Sequence, residues 1–313
     1  MDPNTLLNYI IGICLIFVSG FIFFRALSNL LKKEREYTKS PFAEKLLRPP
    51  GESLRVKIDA IRDEMDNLVL PFVVPMLAPG ILFMILSKQP FTIVASITAI
   101  VFLICLIFTL RLWKKLKFLR NELINYRLGF DGERYVASEL APLAAKGYHI
   151  FHDFIYDMNG GGEETNFNID HIVVGPEGVF LIETKAKRKS LKAPKNDLAN
   201  HEISVEGDTE ANVILRFADD TTTDEPIKQA LRQAKSLETW IKKSNIELKV
   251  RPVLVYPGWY IKSKHGSLSS VQSAKNIATN LPKLGIDRKL SSDEIAQIAA
   301  RIEDKCRNVE GSA

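Results

Sequence analysis

Cysteine is scarce in this chain, and its placement excludes more than its number does. The three residues are Cys14, Cys105 and Cys306 in a chain of 313. They have no paired spacing, so neither a disulfide framework nor a zinc site is indicated. Charge of one sign is equally short. From Arg111 onward there are 31 basic and 28 acidic residues, a surplus too small for a broad nucleic-acid footprint, so any such contact is local. No internal repeat is visible. The length admits one good-sized domain with an appendage, or two domains.

Within the first 110 residues, charge is missing altogether in three places. Leu6–Phe24 is a run of 19 residues without a charge, about what a bilayer core requires. A signal peptide would want a cationic start and a shorter apolar stretch. Here the start is Met1-Asp2-Pro3 and the cations Arg25, Lys32, Lys33 and Arg35 follow, which favours an uncleaved anchor. The other two runs, 68–86 and 91–110, are separated by Ser-Lys-Gln-Pro. Pro71, Pro75 and Pro79 interrupt the first of them, leaving a re-entrant loop as the alternative to a span. The last ends in RLWKKLKFLR, with five basic residues, no acid and an interfacial Trp113. Cations flank the C-terminal side of the first and third runs. The bias predicts three spans, at about 6–24, 68–86 and 91–110, with the N-terminus outside and both 25–67 and everything after 120 in the cytoplasm.

The remainder, 121–313, reads as an α/β domain. GFDGERYVASELAPLAAKG forms an amphipathic helix over 129–146, bent or ended at Pro142. A strand (YHIFHDFIYD) and a glycine-rich loop (MNGGGEETN) follow, then an apolar hairpin, NIDHIVVGPEGVFLIETKAK. ISVEGD and ANVILRFAD suggest a second hairpin. DEPIKQALRQAKSLETWIKKS is a helix with Pro226 near its start and an apolar face of Ile227, Ala230, Leu231, Ala234 and Leu237. KVRPVLVYPGWYI is a further strand, and SSDEIAQIAARIEDKC opens on a capping box from Ser291 to Glu294.

The first hairpin carries charge where a sheet should be apolar. A turn at Gly175-Pro176-Glu177-Gly178 pairs Val174 with Val179, Ile172 with Leu181 and Asp170 with Glu183. Directly opposed residues project from one face, and alternation puts Lys185 on that face too. Two facing carboxylates repel unless a cation lies between them. A hard ion such as Mg²⁺ takes oxygen ligands and keeps several waters. A salt-bridged rim facing solvent would also place these three charges here. On the preceding helix, Glu133 shares the face of Val136, Ala137 and Leu140 and needs a partner if that face is buried. Acids also favour first turns of helices. His171 points to the opposite face from Asp170 and reads as structural. The run 185–195 holds six basic residues and no acid, suited to phosphate contact or to a solvated loop. Tyr256, Trp259 and Tyr260 suit packing on the sheet, with base stacking as the alternative.

GERYVASEL, NIDHIVVGPEGVFLIETKAK, EPIKQALRQAKSL and VRPVLVYPGWYI, in that order over about 127–260, resemble the nuclease-related domain. That domain belongs to the PD-(D/E)XK, or restriction-endonuclease-like, superfamily. The resemblance implies a central mixed β-sheet flanked by helices, and the apolar runs place an all-α transmembrane region ahead of it. It implies Asp170 and Glu183 as metal ligands, Lys185 as the catalytic lysine, Glu133 as an accessory acid and Gln229 as the glutamine of the later helix. It further implies Mg²⁺- or Mn²⁺-dependent hydrolysis of phosphodiesters, DNA ahead of RNA, with no organic cofactor. Two positions depart from the family pattern: Asn168 stands where an acid is frequent, and Ile169 stands where the superfamily has proline. The expected protein is a bilayer-anchored nuclease. A catalytically inactive nucleic-acid-binding module and a membrane scaffold protein are the alternatives.

Overall fold

The computed structural model describes residues 46–86, 88–156, 167–188, 201–207, 212–263, 271–285 and 288–307. The apolar run 6–24, the glycine-rich loop and the basic run beyond 188 lie outside them. The chain folds as two compact units. One contains Ala60–Leu123; the other joins Lys45–Asp59 to Ile124–Ala313. The segment expected to be a link over 25–67 therefore contributes its residues 45–59 to the unit that holds the sheets.

Three long helices open the described chain. They are α1 (Glu52–Asn67), α2 (Val69–Leu86) and α3 (Phe91–Leu140). Pro75 and Pro79 sit inside α2 without ending it. The helix expected over 129–146 is the end of the 50-residue α3. Pro142 terminates it, and a 3₁₀ turn over Ala141–Lys146 closes on Gly147 in the left-handed region. The stretches Glu52–Leu86 and Phe91–Lys146 are each long and apolar enough to cross a membrane, and their apolar windows are 0% and 6% buried.

The larger sheet has the order β1-β2-β3-β7-β9. Its strands are β1 (His149–Tyr156), β2 (Phe167–Gly175), β3 (Gly178–Thr184), β7 (Val250–Tyr256) and β9 (Val271–Ser273). β1, β2 and β3 run antiparallel in turn, whereas β3–β7 and β7–β9 are parallel. Val174 lies against Val179 and Ile172 against Leu181, the register that the Gly-Pro-Glu-Gly turn implies. Helices cover both faces, which is why every residue of β3 is buried and why its sequence is an unbroken VFLI. On one face Ile172, Val174, Val179 and Leu181 pack with Ala234, Leu237 and Ile241 of α4 (Glu225–Lys242) and Ile298 and Ile302 of α6 (Ser292–Lys305). On the other, Val173, Phe180, Ile182, Val253 and Val255 pack with Val136 and Leu140 of α3 and Ile277 of the short α5 (Ile277–Asn280). The capping box of α6 is present, Ser291 and Glu294 exchanging side-chain-to-backbone bonds.

The second hairpin belongs to a separate sheet, with the order β6-β5-β4-β8. Its strands are β4 (Glu202–Glu206), β5 (Ile214–Phe217), β6 (Thr222–Thr223) and β8 (Tyr260–Ser263). KVRPVLVYPGWYI is thus two strands in two sheets, broken at the turn Pro257-Gly258, where proline and glycine both disfavour continued pairing. Tyr256 and Trp259 are buried edge-to-face against Phe217, and Tyr260 alone of the three aromatics is exposed.

Candidate active site

The charges converge at the C-terminal end of β3, between α3 and α4. Glu183 is the last outward step of that strand on the α4 face, and Gln229 lies in the second turn of α4. Their side chains meet. Glu183 Oε1 accepts from Lys185 Nζ at 2.8 Å and from Gln229 Nε2 at 2.9 Å. Lys185 Nζ also donates to Gln229 Oε1 at 2.9 Å, closing a three-membered ring of bonds. Glu183 is buried, whereas the Lys185 side chain is 32% exposed and marks the mouth of the site. The Lys185 amide continues the parallel pairing beyond β3 by donating to the Val255 carbonyl at 2.9 Å.

Asp170 reaches the same place from β2. The ladder with β3 extends as far as His171 opposite Ile182. One step on, the Asp170 carboxylate accepts from the Thr184 amide at 2.7 Å rather than merely facing Glu183. Burial, then the charges of Glu183 and Glu133, push its carboxyl well above the ordinary range, against the Thr184 amide and Lys185. Glu133 arrives from α3 and is buried. Burial, then the charges of Asp153 and Glu183, push it up to about 8, against a hydrogen bond from the Gly51 amide and the charge of Lys185.

Gly132 makes that approach possible. A Cβ there would come within 3.0 Å of Ala186 Cβ and 3.6 Å of Thr184 Cγ2. Gly132→Val is therefore expected to lever Glu133 off the end of β3, with a cost of about 1–3 kcal/mol in stability. A melting temperature equal to wild type would show that the helix has room to spare.

Buried polar groups normally find partners, and here several do not. Glu133 Oε2, Glu183 Oε2 and Gln233 Oε1 are buried without a hydrogen-bond partner. Three carboxylates also share one ammonium. That imbalance suits a divalent cation. Among the described residues no three His, Cys, Asp or Glu side chains form a ready ligand group. Mg²⁺ needs less than that, since it uses one or two carboxylates and fills its shell with water and phosphate. Asp170 and Glu183 fit that demand. His171 faces away from them, its Nδ1 at 2.8 Å from His152 Nδ1, and burial, followed by the His152 charge, holds its pKa well below normal.

Sequence reasoning missed Asp153, Gln233 and Arg48. Asp153 is fully buried in β1 with φ +53, a conformation uncommon for a residue with a side chain. Gln233 donates to the Asn168 carbonyl at 3.1 Å, one turn along α4 from Gln229. An aspartate in the middle of the strand HIFHDFIY was the available signal for the first. Nothing local marks the other two.

The family model described as the nuclease-related domain matches residues 128–257. No curated protein and no solved structure matches the chain. The match runs from the end of α3 through β7 and takes in Glu133, Asp170, Glu183, Lys185 and Gln229. Over residues 128–257, fewer than half of its 313, the chain is similar to a nuclease-related domain.

Proposed function

We propose that the protein is a membrane-anchored, metal-dependent nuclease that hydrolyses phosphodiester bonds in nucleic acid, DNA ahead of RNA. One observation carries the reading. Asp170, Glu183, Lys185 and Gln229 interlock at a strand end, with Lys185 at the opening and carboxylate oxygens left over. Asp170 and Glu183 would hold Mg²⁺ or Mn²⁺, which supplies Lewis acidity toward a phosphoryl oxygen when bound. Lys185, oriented by Glu183 and Gln229, offers its ammonium to charge developing on the phosphate. Glu133 stands beside them as the accessory acid. A mixed sheet with helices on both faces supports the restriction-endonuclease-like reading of the fold.

The anchor rests on the apolar, unburied windows of α2 and α3. Residues 45–59 and 124–313 belong to one compact unit. That the apolar stretch is flanked on both sides by parts of one unit supports a hairpin of two spans. The cationic flanks favour the cytoplasm for that side, and the charge-free composition of the run 6–24 supports a third span with the N-terminus outside.

The test is to incubate the purified full chain with DNA and with RNA in Mg²⁺, Mn²⁺ or EDTA. Cleavage is expected only with metal, and Lys185→Met is expected to lower kcat about 100-fold or more. Equal cleavage by the two proteins would sink the catalytic assignment. Nucleic-acid binding without metal-dependent cleavage would identify a non-catalytic module instead. A reporter fused behind Ala313 and active only outside the cytoplasm would overturn the topology.

A further inference from the structure

Residues 47–53 lie ahead of the apolar helices and outside the family match, yet they reach the site. Leu47 forms an antiparallel bridge with Arg307, and the Arg48 amide donates to the Cys306 carbonyl at 2.8 Å. The Arg48 residue is 7% exposed. Its guanidinium donates from Nε to the Asp153 carbonyl at 2.9 Å, from Nη1 to the Arg307 carbonyl at 3.2 Å and from Nη2 to the Lys305 carbonyl at 2.5 Å. It also pairs with the Asp153 carboxylate at 3.3 Å. One cation thus satisfies carbonyls at the C-terminal end of α6, where positive charge is favoured, and neutralises a wholly buried carboxylate.

The other oxygen of Asp153 accepts from Ser53 Oγ at 2.5 Å and from Asn168 Nδ2 at 2.9 Å. Gly51 has φ +79, and a Cβ on it would lie 2.6 Å from the Phe130 ring. Its amide lies near the Glu133 carboxyl, one helical turn beyond Phe130, and draws that group's pKa down. A buried ion pair contributes little net stability, because desolvating both charges offsets their attraction; fixing an arrangement is its better-attested use.

We propose that the strap Leu47–Ser53 is a positioning device for the accessory acid, holding the turn of α3 that carries Glu133 through the seat of Gly51 on Phe130, with Arg48 and Ser53 fastening the strap to Asp153. This rests on the nuclease reading, because Glu133 has a catalytic part only there. Arg48 touches no substrate in this scheme. It acts through Asp153, and the working site is assembled from segments on both sides of the apolar helices.

The test uses the full chain as wild type, Glu133→Ala, Asp170→Ala, Arg48→Met and Arg48→Lys, followed by amide hydrogen exchange and by cleavage kinetics. Glu133→Ala, which empties the space beside the Gly51 amide, is expected to speed exchange at 47–53 at least about tenfold. Asp170→Ala is expected to leave that exchange at the wild-type rate. Arg48→Met is expected to speed exchange over 130–136 and to lower kcat about 10- to 100-fold with KM little changed, and Arg48→Lys to recover part of it. Exchange at 47–53 indifferent to Glu133→Ala overturns the proposal, as does a cleaving Arg48→Met protein with full kcat. Where Arg48→Met does not fold, the Glu133→Ala comparison decides. If the wild type cleaves nothing, the nuclease reading fails, while the exchange measurements still decide whether the strap holds Glu133.

Discussion

Asp170→Asn is expected to abolish cleavage and, in metal-free buffer, to raise the melting temperature. Asp170 is buried, with Glu183 and Glu133 as its charged neighbours and one ammonium among the three carboxylates. Asparagine keeps an oxygen for the Thr184 amide, which the carboxylate meets at 2.7 Å, and sheds the charge that burial penalises. The loss of activity should be about 10³-fold or more, as for a group that acts on the reacting centre. The gain in stability should be about 0.5–2 kcal/mol, the range usual for relieving a strained functional site. Thermal melts of both proteins with EDTA test the second half. A lower melting temperature for the asparagine variant would mean that the carboxylate supports the fold, against the crowding argument. Adding Mn²⁺ should then raise the melting temperature of the wild type by more than that of Asp170→Asn. Saturation at a hundred times the dissociation constant is worth about 2.7 kcal/mol.

The largest expected loss of stability comes from Phe180→Ala, at about 3–5 kcal/mol. Phe180 lies at the middle of β3, between Val173 of β2 and Arg251 of β7. It is fully buried in the cluster that includes Val136 and Leu140 of α3 and Val253 of β7. β3 is covered on both faces, so the vacated volume has no solvent side toward which it can relax. Tyr260→Ala, at an exposed position of the second sheet, is the matched control and should change stability by no more than about 0.5 kcal/mol. Denaturant unfolding of the three proteins measures both values. A cost below about 1 kcal/mol for Phe180→Ala would show that the sheet repacks around the loss.

How much was legible in the sequence follows from how local each feature is. The β2–β3 register was readable because a four-residue turn and strict alternation determine every later pair, and both lie within twenty consecutive residues. The face of α4 was readable for the same reason, since Ile227, Ala230, Ala234 and Leu237 recur at helical spacing and are buried. Gln229 was different. Its neighbours alone left it a polar residue at the edge of that face, and only the family resemblance marked it. The separate sheet was hidden because β4 pairs in parallel with β8, more than fifty residues away, and no short window records such a partner. The continuity of α3 was hidden by composition. Apolar residues give way to basic ones after Leu110 and suggest a boundary, yet no proline or glycine interrupts the helix before Gly129. Arg48 was the least legible of all, an ordinary cation in a charged stretch whose burial depends on partners at both β1 and the end of α6.

The span between Arg48 and Asp153 also fixes an order in time. The two lie 105 residues apart, so the strap leaves the ribosome roughly 5–20 s before its partner at ordinary rates of synthesis. During that interval α2 and the apolar part of α3 are being made and Arg48 has no carboxylate to meet. Lys305 and Arg307, whose carbonyls complete its coordination, are made later still. Completion of the candidate site therefore follows production of the apolar helices, and a nascent chain halted before the end of α6 carries its charges at β3 without the finished coordination of Arg48.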